Sequence, residues 1–298
     1  TGVSAWRVWH PGPRARSIAV LPFANADANA AIDYLCDGLT DSVLQRLAFV
    51  PGLDVAPRSA GYAVDVRDPR AAGRRLGVDV VLTGEVRRPG DRLDVTARLI
   101  DVKSGAELWR DHYESAAGDA VSVPHELARA IVTDGIRQPL DDVARRVIER
   151  PVSRDAAAYD AYLRAVYLHR LGGEANIRAA RVLLQQAVTR DPVFALAQVS
   201  LASTFSVMAV DGYERPTDAW PASNRAVRRA LDVDAELPEA HAEQSSSWFF
   251  FDHDWASAES AWKRAIGARP SPALPDLLSG SALKLWALGR GAEAAAMV

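Results

Sequence analysis

A small-large-small pattern of side chains occurs three times in the second half of the chain. It is made by Ala180, Leu184, Ala187 and Pro192, by Ser223, Val227, Ala230 and Ala235, and by Ala258, Trp262, Ala265 and Pro270, with spacings of four, three and five residues in each set. Helices approach closely only where small side chains face each other, and a large apolar side chain fills the adjoining gap. Proline closes a helix but does not continue it. The pattern therefore predicts successive pairs of packed helices.

The interval between the sets is typical of tetratricopeptide repeats, whose period is about 34 residues. The first two closing positions lie 43 residues apart and the last two lie 35 apart. The longer interval predicts an insertion, which we place in a loop at 211–221. Ala294 takes the first small position of a fourth unit. We therefore expect three units and a truncated fourth over 151–298, forming a right-handed α-solenoid with a concave groove.

One stretch of this region, 193–210, has no charged residue and is the only later segment that resembles a membrane span. It contains polar side chains such as Gln198 and Thr204, and it lies between segments of matching helical period. A buried helix of the solenoid is therefore the favoured interpretation.

The first half alternates between strand and helix patterns. Leu93, Val95, Ala97 and Leu99 alternate with polar residues, which is typical of a strand with one solvent-facing side. The predicted strands are 17–23, 53–58, 79–88, 92–101 and 106–115, of which the last three run antiparallel, and the predicted helices are 31–50, 69–77 and 123–149, the last broken near Pro139. The sequence therefore predicts a small mixed-sheet α/β domain at 17–150, followed by the solenoid.

Composition and motifs argue against catalysis. Hydrophobic residues make up 49% and charged residues 24% of the chain, and the net charge is -3, evenly distributed between the two halves. This balance favours a globular protein and disfavours direct nucleic-acid binding by this segment. The histidines are scattered, no phosphate-binding loop or nucleophile elbow occurs, and Cys36 falls on the apolar side of its helix. We predict no catalytic, cofactor-binding or metal-binding residues, even at Asp252-His253-Asp254, and no enzymatic activity.

The first 16 residues have the composition of a juxtamembrane linker. Trp6 and Trp9 flank Arg7 and precede a stretch rich in proline, glycine and arginine. Aromatic and arginine residues of this kind occur just outside membrane spans. A plain disordered tail is an equally good interpretation.

Four blocks of the first half, SIAVLPF, CDGLTDSVLQRL, GVDVVLTGEVRR and RLDVTARLIDVKSGAELWRDHYE, occur in an order that resembles the TolB amino-terminal-like domain over about 17–138. Three blocks of the second half, YDAYLRAVYLHRL, DPVFALAQVSLAS and FDHDWASAESAWKRAIGARP, resemble the helical region that follows this domain in CadC/ToxR-type regulators. A similar region occurs in some receptor kinases and class III nucleotide cyclases.

The resemblance to CadC/ToxR-type regulators implies an upstream winged-helix domain that binds DNA, one membrane-crossing helix, and a sensory region on the extracytoplasmic, periplasmic side. A cytoplasmic location is the alternative. We therefore expect a non-catalytic sensory and protein-interaction region of a membrane-anchored transcriptional regulator. The alternative is an accessory region of a nucleotide cyclase or Ser/Thr kinase whose catalytic domain precedes residue 1.

Four successive aromatic residues, Trp248 to Phe251, are the best candidates for contact with a partner. Such a run covers every direction around a helix, so at least one side chain is expected to face solvent. We assign Trp248 to the core and Phe249 and Phe250 to partner contact, with Tyr213 and Trp220 of the inserted loop as weaker candidates. The alternative is that all four pack inside their repeat. The expected partner is a protein or peptide in the groove, or a second copy of the chain.

Overall fold

The computed structural model describes residues 15–116, 123–149, 152–267 and 274–296. The chain divides into two compact units, Thr1–Pro151 and Val152–Val298. The predicted aromatic part of the linker, with Trp6 and Trp9, lies outside the described residues.

The first unit is built on a six-stranded mixed sheet, which confirms the predicted α/β class. The strands are β1 (Ser17–Val20), β2 (Ala24–Asn25), β3 (Asp54–Val55), β4 (Val80–Arg87), β5 (Arg92–Asp101) and β6 (Glu107–Ala116). Their order is β3-β1-β4-β5-β6, and β2 pairs with the far part of β4. β1 runs parallel to β3 and β4, whereas β4, β5 and β6 are antiparallel neighbours.

Helices cover this sheet. They are α1 (Asp33–Leu47), preceded by a 3-10 turn at Ala30–Ile32, α2 (Arg58–Tyr62), α3 (Pro69–Leu76), α4 (Val123–Ala130) and α5 (Asp142–Glu149). The region predicted as one helix broken near Pro139 continues from α4 into a π-helical turn at Ile131–Ile136. The helix then ends at Arg137, whose φ of 56° lies outside the range of a right-handed helix. Gln138 and Pro139 follow, and a residue that precedes proline disfavours the helical conformation.

The segment that follows β1 approaches β4 closely in the middle of the sheet. A side chain at Gly84 of β4 would place its Cβ 2.7 Å from the ring of Phe23, which is itself only 4% exposed. The segment after β1 therefore lies directly across β4 because that position has no side chain. Phe23 N–H also donates to the Thr40 hydroxyl of α1 at 3.0 Å, which ties the same segment to the helix.

An arginine clip joins α1 to α2. Arg58 Nε donates to Asp41 Oδ1 at 2.6 Å, and Arg58 Nη2 forms a second ion pair with Asp37. The Tyr62 hydroxyl donates to Asp37 as well, and the guanidinium carbon of Arg58 lies 4.0 Å from the centre of the Tyr62 ring. A planar guanidinium can bridge two carboxylates in this way.

The second unit is helical. Its helices are α6 (Ala156–Leu171), α7 (Glu174–Arg190), α8 (Ala195–Val210), α9 (Pro216–Val233), α10 (Pro238–Ser247), α11 (Trp255–Gly267), α12 (Leu274–Ala287) and α13 (Gly291–Ala295), with a π-helical turn at Trp248–Asp252. Consecutive helices pack against each other in pairs, as expected of a helical solenoid. The repeated small residues are buried as predicted, since Ala180, Ala187 and Ala230 are each 0% exposed.

The predicted loop at 211–221 is wrong over most of its length. Only 211–215 lie outside helices, and α9 starts at Pro216 and contains Pro221. Pro216 stands in the first turn, where a missing N–H has no helical partner in any case. The helix continues through Pro221 with the loss of one backbone hydrogen bond. Part of the extra length between the first two repeats is therefore helical and belongs to α9.

The charge-free segment forms α8 and contributes to the core, as predicted. Ala197, Ala202 and Met208 are each 0% exposed. Within the parts of the chain that the structure describes, no helix is both long enough and apolar enough to cross a membrane.

Candidate interaction surface of the helical unit

A π-helical turn brings three phenylalanines to one end of α10. The turn spans Trp248–Asp252 and ends at His253, whose φ is 54°. A π turn inserts one residue into the helical ladder and so redirects the side chains around it. No residue of the turn is fully buried. Trp248, which we assigned to the core, is half-buried.

Three of these aromatic side chains form one cluster with Trp220 of α9. The ring of Trp220 stacks on Phe250 and Phe251, with centroid distances of 6.4 and 6.5 Å. Phe249 meets Phe250 edge to face at 5.0 Å. Such offset and edge-on pairs are the favoured geometries of aromatic rings. We call Trp220, Phe249, Phe250 and Phe251 the aromatic surface.

Exposure differs sharply within the aromatic surface. Trp220 is 3% exposed and packs with Ala209 and Ala219, whereas Phe250 is 44% exposed. Phe249 and Phe251 are half-buried. Phe250 is therefore a partly exposed apolar ring that stacks on the buried ring of Trp220. Trp220 lies within α9 and not in the predicted loop. Because its side chain is buried, it supports Phe250 but offers little surface to a partner.

Tyr213 remains in the connection between α8 and α9, as predicted. Its side chain is half-buried, and its carbonyl accepts a hydrogen bond from Arg178 Nη2 at 2.6 Å. Arg181 pairs with the adjacent Glu214 at 3.2 Å. These contacts tie the connection to α7. No ring contact joins Tyr213 to the aromatic surface among the described residues.

Sequence reasoning missed a buried polar cluster between the first helices of successive pairs. Lys284 of α12 is 7% exposed, and its Nζ donates to the hydroxyl oxygens of Ser245 and Ser246 at 3.1 and 3.2 Å. Ser206 of α8 donates to Glu243 at 3.0 Å. The available sequence signal was the position of Lys284 in an otherwise apolar run, between Ala282-Leu283 and Leu285-Trp286.

Burial shifts the protonation of this cluster. It lowers the pKa of Lys284 to about 8, although the negative charge of Glu243 opposes the change. Burial raises the pKa of Glu243, and the hydroxyl groups of Ser206 and Ser203 oppose that change. The cluster therefore holds a lysine that loses its proton more readily than a solvated one does.

We expect the stability of the helical unit to rise with pH between about 8 and 10.5 because of Lys284. Its pKa in the folded chain lies below the ordinary value of 10.5, so the unfolded chain binds more protons in this window. Lys284→Met should remove the rise and increase the melting temperature at pH 7, since a buried charge is replaced by an apolar chain. Urea unfolding at a series of pH values measures the effect. Lys263→Met is the control, because the Lys263 side chain is 61% exposed. If the stability of Lys284→Met depended on pH in the same way as that of the unaltered chain, the prediction would be contradicted.

A groove of about 620 Å³ is lined mainly by side chains of α7. Its lining includes Arg181, Val182, Gln185, Arg190 and, from α8, Phe205. Both arginines are already engaged in ion pairs, Arg181 with Glu214 and Arg190 with Asp155. The positive charges of these two arginines are therefore largely neutralised by Glu214 and Asp155.

The remaining candidates for chemistry lie apart. Cys36 is buried, and burial next to Asp33 and Asp37 raises the pKa of its thiol to about 12, so the thiolate form is disfavoured. Asp254 N–H donates to the Trp248 carbonyl, and the Asp254 carboxylate caps α11 by accepting from Ser257 N–H. Among the residues that the structure describes, no three histidine, cysteine or acidic side chains converge in an arrangement that could hold a metal ion.

Comparisons with known proteins found one matching family of domains and one curated relative. Residues 14–131 match the family described as "HilA/YgeH-like transcriptional regulator, second domain". The chain is 30% identical over 232 residues to "Putative adenylate cyclase 3" of Rhizobium meliloti (strain 1021). That match covers 77% of this chain but 39% of the relative, so the chain spans well under half of the relative's length.

Solved structures similar to the chain include TolB from Acinetobacter baumannii, with 18% identity, a TM-score of 0.33 and coverage of 43% of this chain and 29% of TolB. The PelC dodecamer from Paraburkholderia phytofirmans has 20% identity, a TM-score of 0.31 and coverage of 45% of this chain and 96% of PelC.

The family match falls on the α/β unit. It agrees with the expectation, drawn from the order of the sequence blocks, that this unit is a domain found in transcriptional regulators. Residues 14–131 are therefore similar to a domain of transcriptional regulators.

Proposed function

We propose that this chain is the non-catalytic sensory and interaction region of a membrane-anchored transcriptional regulator, in which tetratricopeptide-type helical repeats bind a protein or peptide. The region would lie on the extracytoplasmic side of the membrane, and the α/β unit would act as a spacer or as a receiver of the signal. Binding would change the spacing of DNA-binding domains on the other side of the membrane.

The observation that carries the interaction role is the exposure of Phe250, whose ring stacks on the buried ring of Trp220. Phe250 is 44% exposed and stacks on Trp220, which is 3% exposed. An aromatic side chain that is already fixed loses little conformational freedom on binding, and such residues dominate the binding energy of many interfaces. The match of residues 14–131 with a regulator domain supports the proposed output.

A second candidate is the accessory region of a nucleotide cyclase. It is favoured by the 30% identity with a protein named as an adenylate cyclase, over more of this chain than the regulator family matches. Both candidates place the output in a domain outside this region. They predict different upstream domains, namely a winged helix with a basic recognition helix or a catalytic domain with metal-binding aspartates.

Replacing Phe249 and Phe250 with serine in the full-length protein should abolish most of its signal-dependent output, because the exposed rings of the aromatic surface are removed. Transcript profiling and the cellular content of cyclic nucleotide measure the two possible outputs in parallel. Trp286→Ser is the matched control, since Trp286 is 69% exposed and lies on α12, which carries no member of the aromatic surface.

The same variant tests the alternative that the aromatic residues only stabilise the repeats. A role confined to the surface predicts a melting temperature within about 3 °C of the unaltered chain. A fall well beyond that, with normal output at permissive temperature, would show that the cluster is structural and would contradict the interaction role. The coding sequence upstream of Thr1 and reporter fusions at Val298 test the regulator topology separately. Reporter activity confined to the cytoplasm would contradict it.

A further inference from the structure

We propose that the aromatic surface and the acidic side chains around it bind a basic, apolar segment of a partner protein, one that carries lysine or arginine next to leucine-like side chains. This proposal rests on the proposed function and specifies the chemistry of the partner. It concerns the end of the helical pairs where α8 meets α9 and where α10 meets α11.

Acidic residues flank the aromatic surface on every chain segment that forms it. Ala209, Ala219 and Trp220 pack in one cluster with Phe251. The acids stand within two residues of its members or at the end of the π turn, and all are exposed: Asp211, Asp218, Asp252 and Asp254. We call these four residues the acidic rim. Each of the chain segments that form the aromatic surface therefore carries at least one exposed carboxylate.

The acidic rim is only weakly neutralised from within the chain. Arg215 approaches Asp218 at 3.5 Å, with side chains 87% and 56% exposed, a geometry that contributes little. Asp211 and Asp252 make no ion pair in the described part of the chain. The hydrogen bonds with Ser257 lower the pKa of Asp254, so its carboxylate stays ionised at neutral pH. A cationic side chain of a partner would find accessible acceptors at this site.

The apolar part of the surface lies beside these carboxylates. Val210 is 61% exposed and immediately precedes Asp211, and Phe250 is 44% exposed two residues before Asp252. A cation placed over an exposed aromatic ring gains attraction from the ring face, in addition to its attraction to nearby carboxylates. A segment that presents both an apolar and a cationic side chain would satisfy both halves of the site.

The charges disfavour other occupants. A nucleic acid or an acidic peptide would bring negative charge to the acidic rim. A second copy bound through the same surface would place like charges opposite each other, since a two-fold interface pairs a patch with itself. The net charge of the chain, -3, gives the same long-range preference for a cationic partner.

Fluorescence anisotropy with the intact chain tests this proposal. The probe is a short labelled peptide built of lysine and leucine, compared with peptides of glutamate and leucine and of lysine and serine. We expect binding of the first peptide only, and weaker binding as salt is added, because exposed charges are screened. The variant Asp211→Asn/Asp252→Asn should weaken binding about fivefold at low salt. Phe250→Ser should weaken it at least as much.

The control variant is Asp232→Asn/Glu236→Gln, which removes the same charge from exposed positions in the last turn of α9 and just after that helix. Equal weakening by the control, equal binding of the glutamate peptide, or no binding of the lysine and leucine peptide would each overturn the proposal. These failures leave the proposed function intact if Phe249→Ser/Phe250→Ser still abolishes output in the full-length protein. Loss of both results would reject the interaction role itself.

Discussion

Phe194→Ala is expected to lower the free energy of unfolding of the helical unit by about 3–5 kcal/mol, the usual range for a buried phenylalanine. Phe194 is 1% exposed and stands between α7 and α8. Its ring lies 4.8 Å from that of Tyr162 and 6.4 Å from that of Tyr159, both on α6. The substitution leaves a cavity at the point where three helices meet.

Hydrogen exchange in the intact chain is the measurement that assigns this loss to the helical unit. Amides of α6, α7 and α8 should exchange faster in Phe194→Ala, whereas those of β4 and β5 should be unaffected. Val193→Ala is the matched control, because Val193 is the preceding residue and is 57% exposed. A loss below about 1 kcal/mol would mean that the aromatic contacts are replaced by repacking and would contradict the prediction.

Arg58→Ala is expected to lower the free energy of unfolding of the α/β unit by about 2–4 kcal/mol, because it removes the guanidinium that bridges two largely buried carboxylates. The side chains of Asp37 and Asp41 are each 14% exposed, so water replaces the lost partner poorly. The ring of Tyr62 loses its contact with the guanidinium as well. Urea unfolding and exchange of α1 amides measure the loss.

Two further variants separate the bridge from the charge. Arg58→Lys should restore only part of the stability, because an ammonium group lacks the planar fork that reaches both carboxylates. Arg67→Ala is the control, since Arg67 pairs with Asp65 at a side-chain exposure of 88% and should change stability little. Full rescue by lysine would show that the clip acts only as a point charge.

Sequence periodicity was sufficient to predict the elements whose cores are local. The alternation in β5 gives the solvent-facing and buried sides of that strand, and the small residues at Ala180 and Ala187 give the packed face of α7. These patterns can be recognised because one element's own spacing decides which side chains are buried.

Features that depend on distant residues escaped prediction. β2 has two residues and exists only because β4 extends past β1, so no local pattern marks it. We predicted a loop at 211–221 because it contains two prolines, Pro216 and Pro221, and proline is common in loops. Proline also suits the first turn of a helix, which is where Pro216 lies. Lys284 was missed because its partners, Ser245 and Ser246, lie 39 and 38 residues away in the sequence. In the candidate site, Phe249 and Phe250 follow from the run of aromatics, but the stacking on Trp220 does not.

The order of strands in the sheet bears on how the α/β unit avoids aggregation. Open sheet edges are templates for pairing with other chains, and short or charged edge strands prevent this. At one edge, β3 has only two residues, and at the other edge the exposed positions of β6 are Arg110, His112 and Glu114. Both edges of the sheet are therefore poor partners for strand addition by another chain.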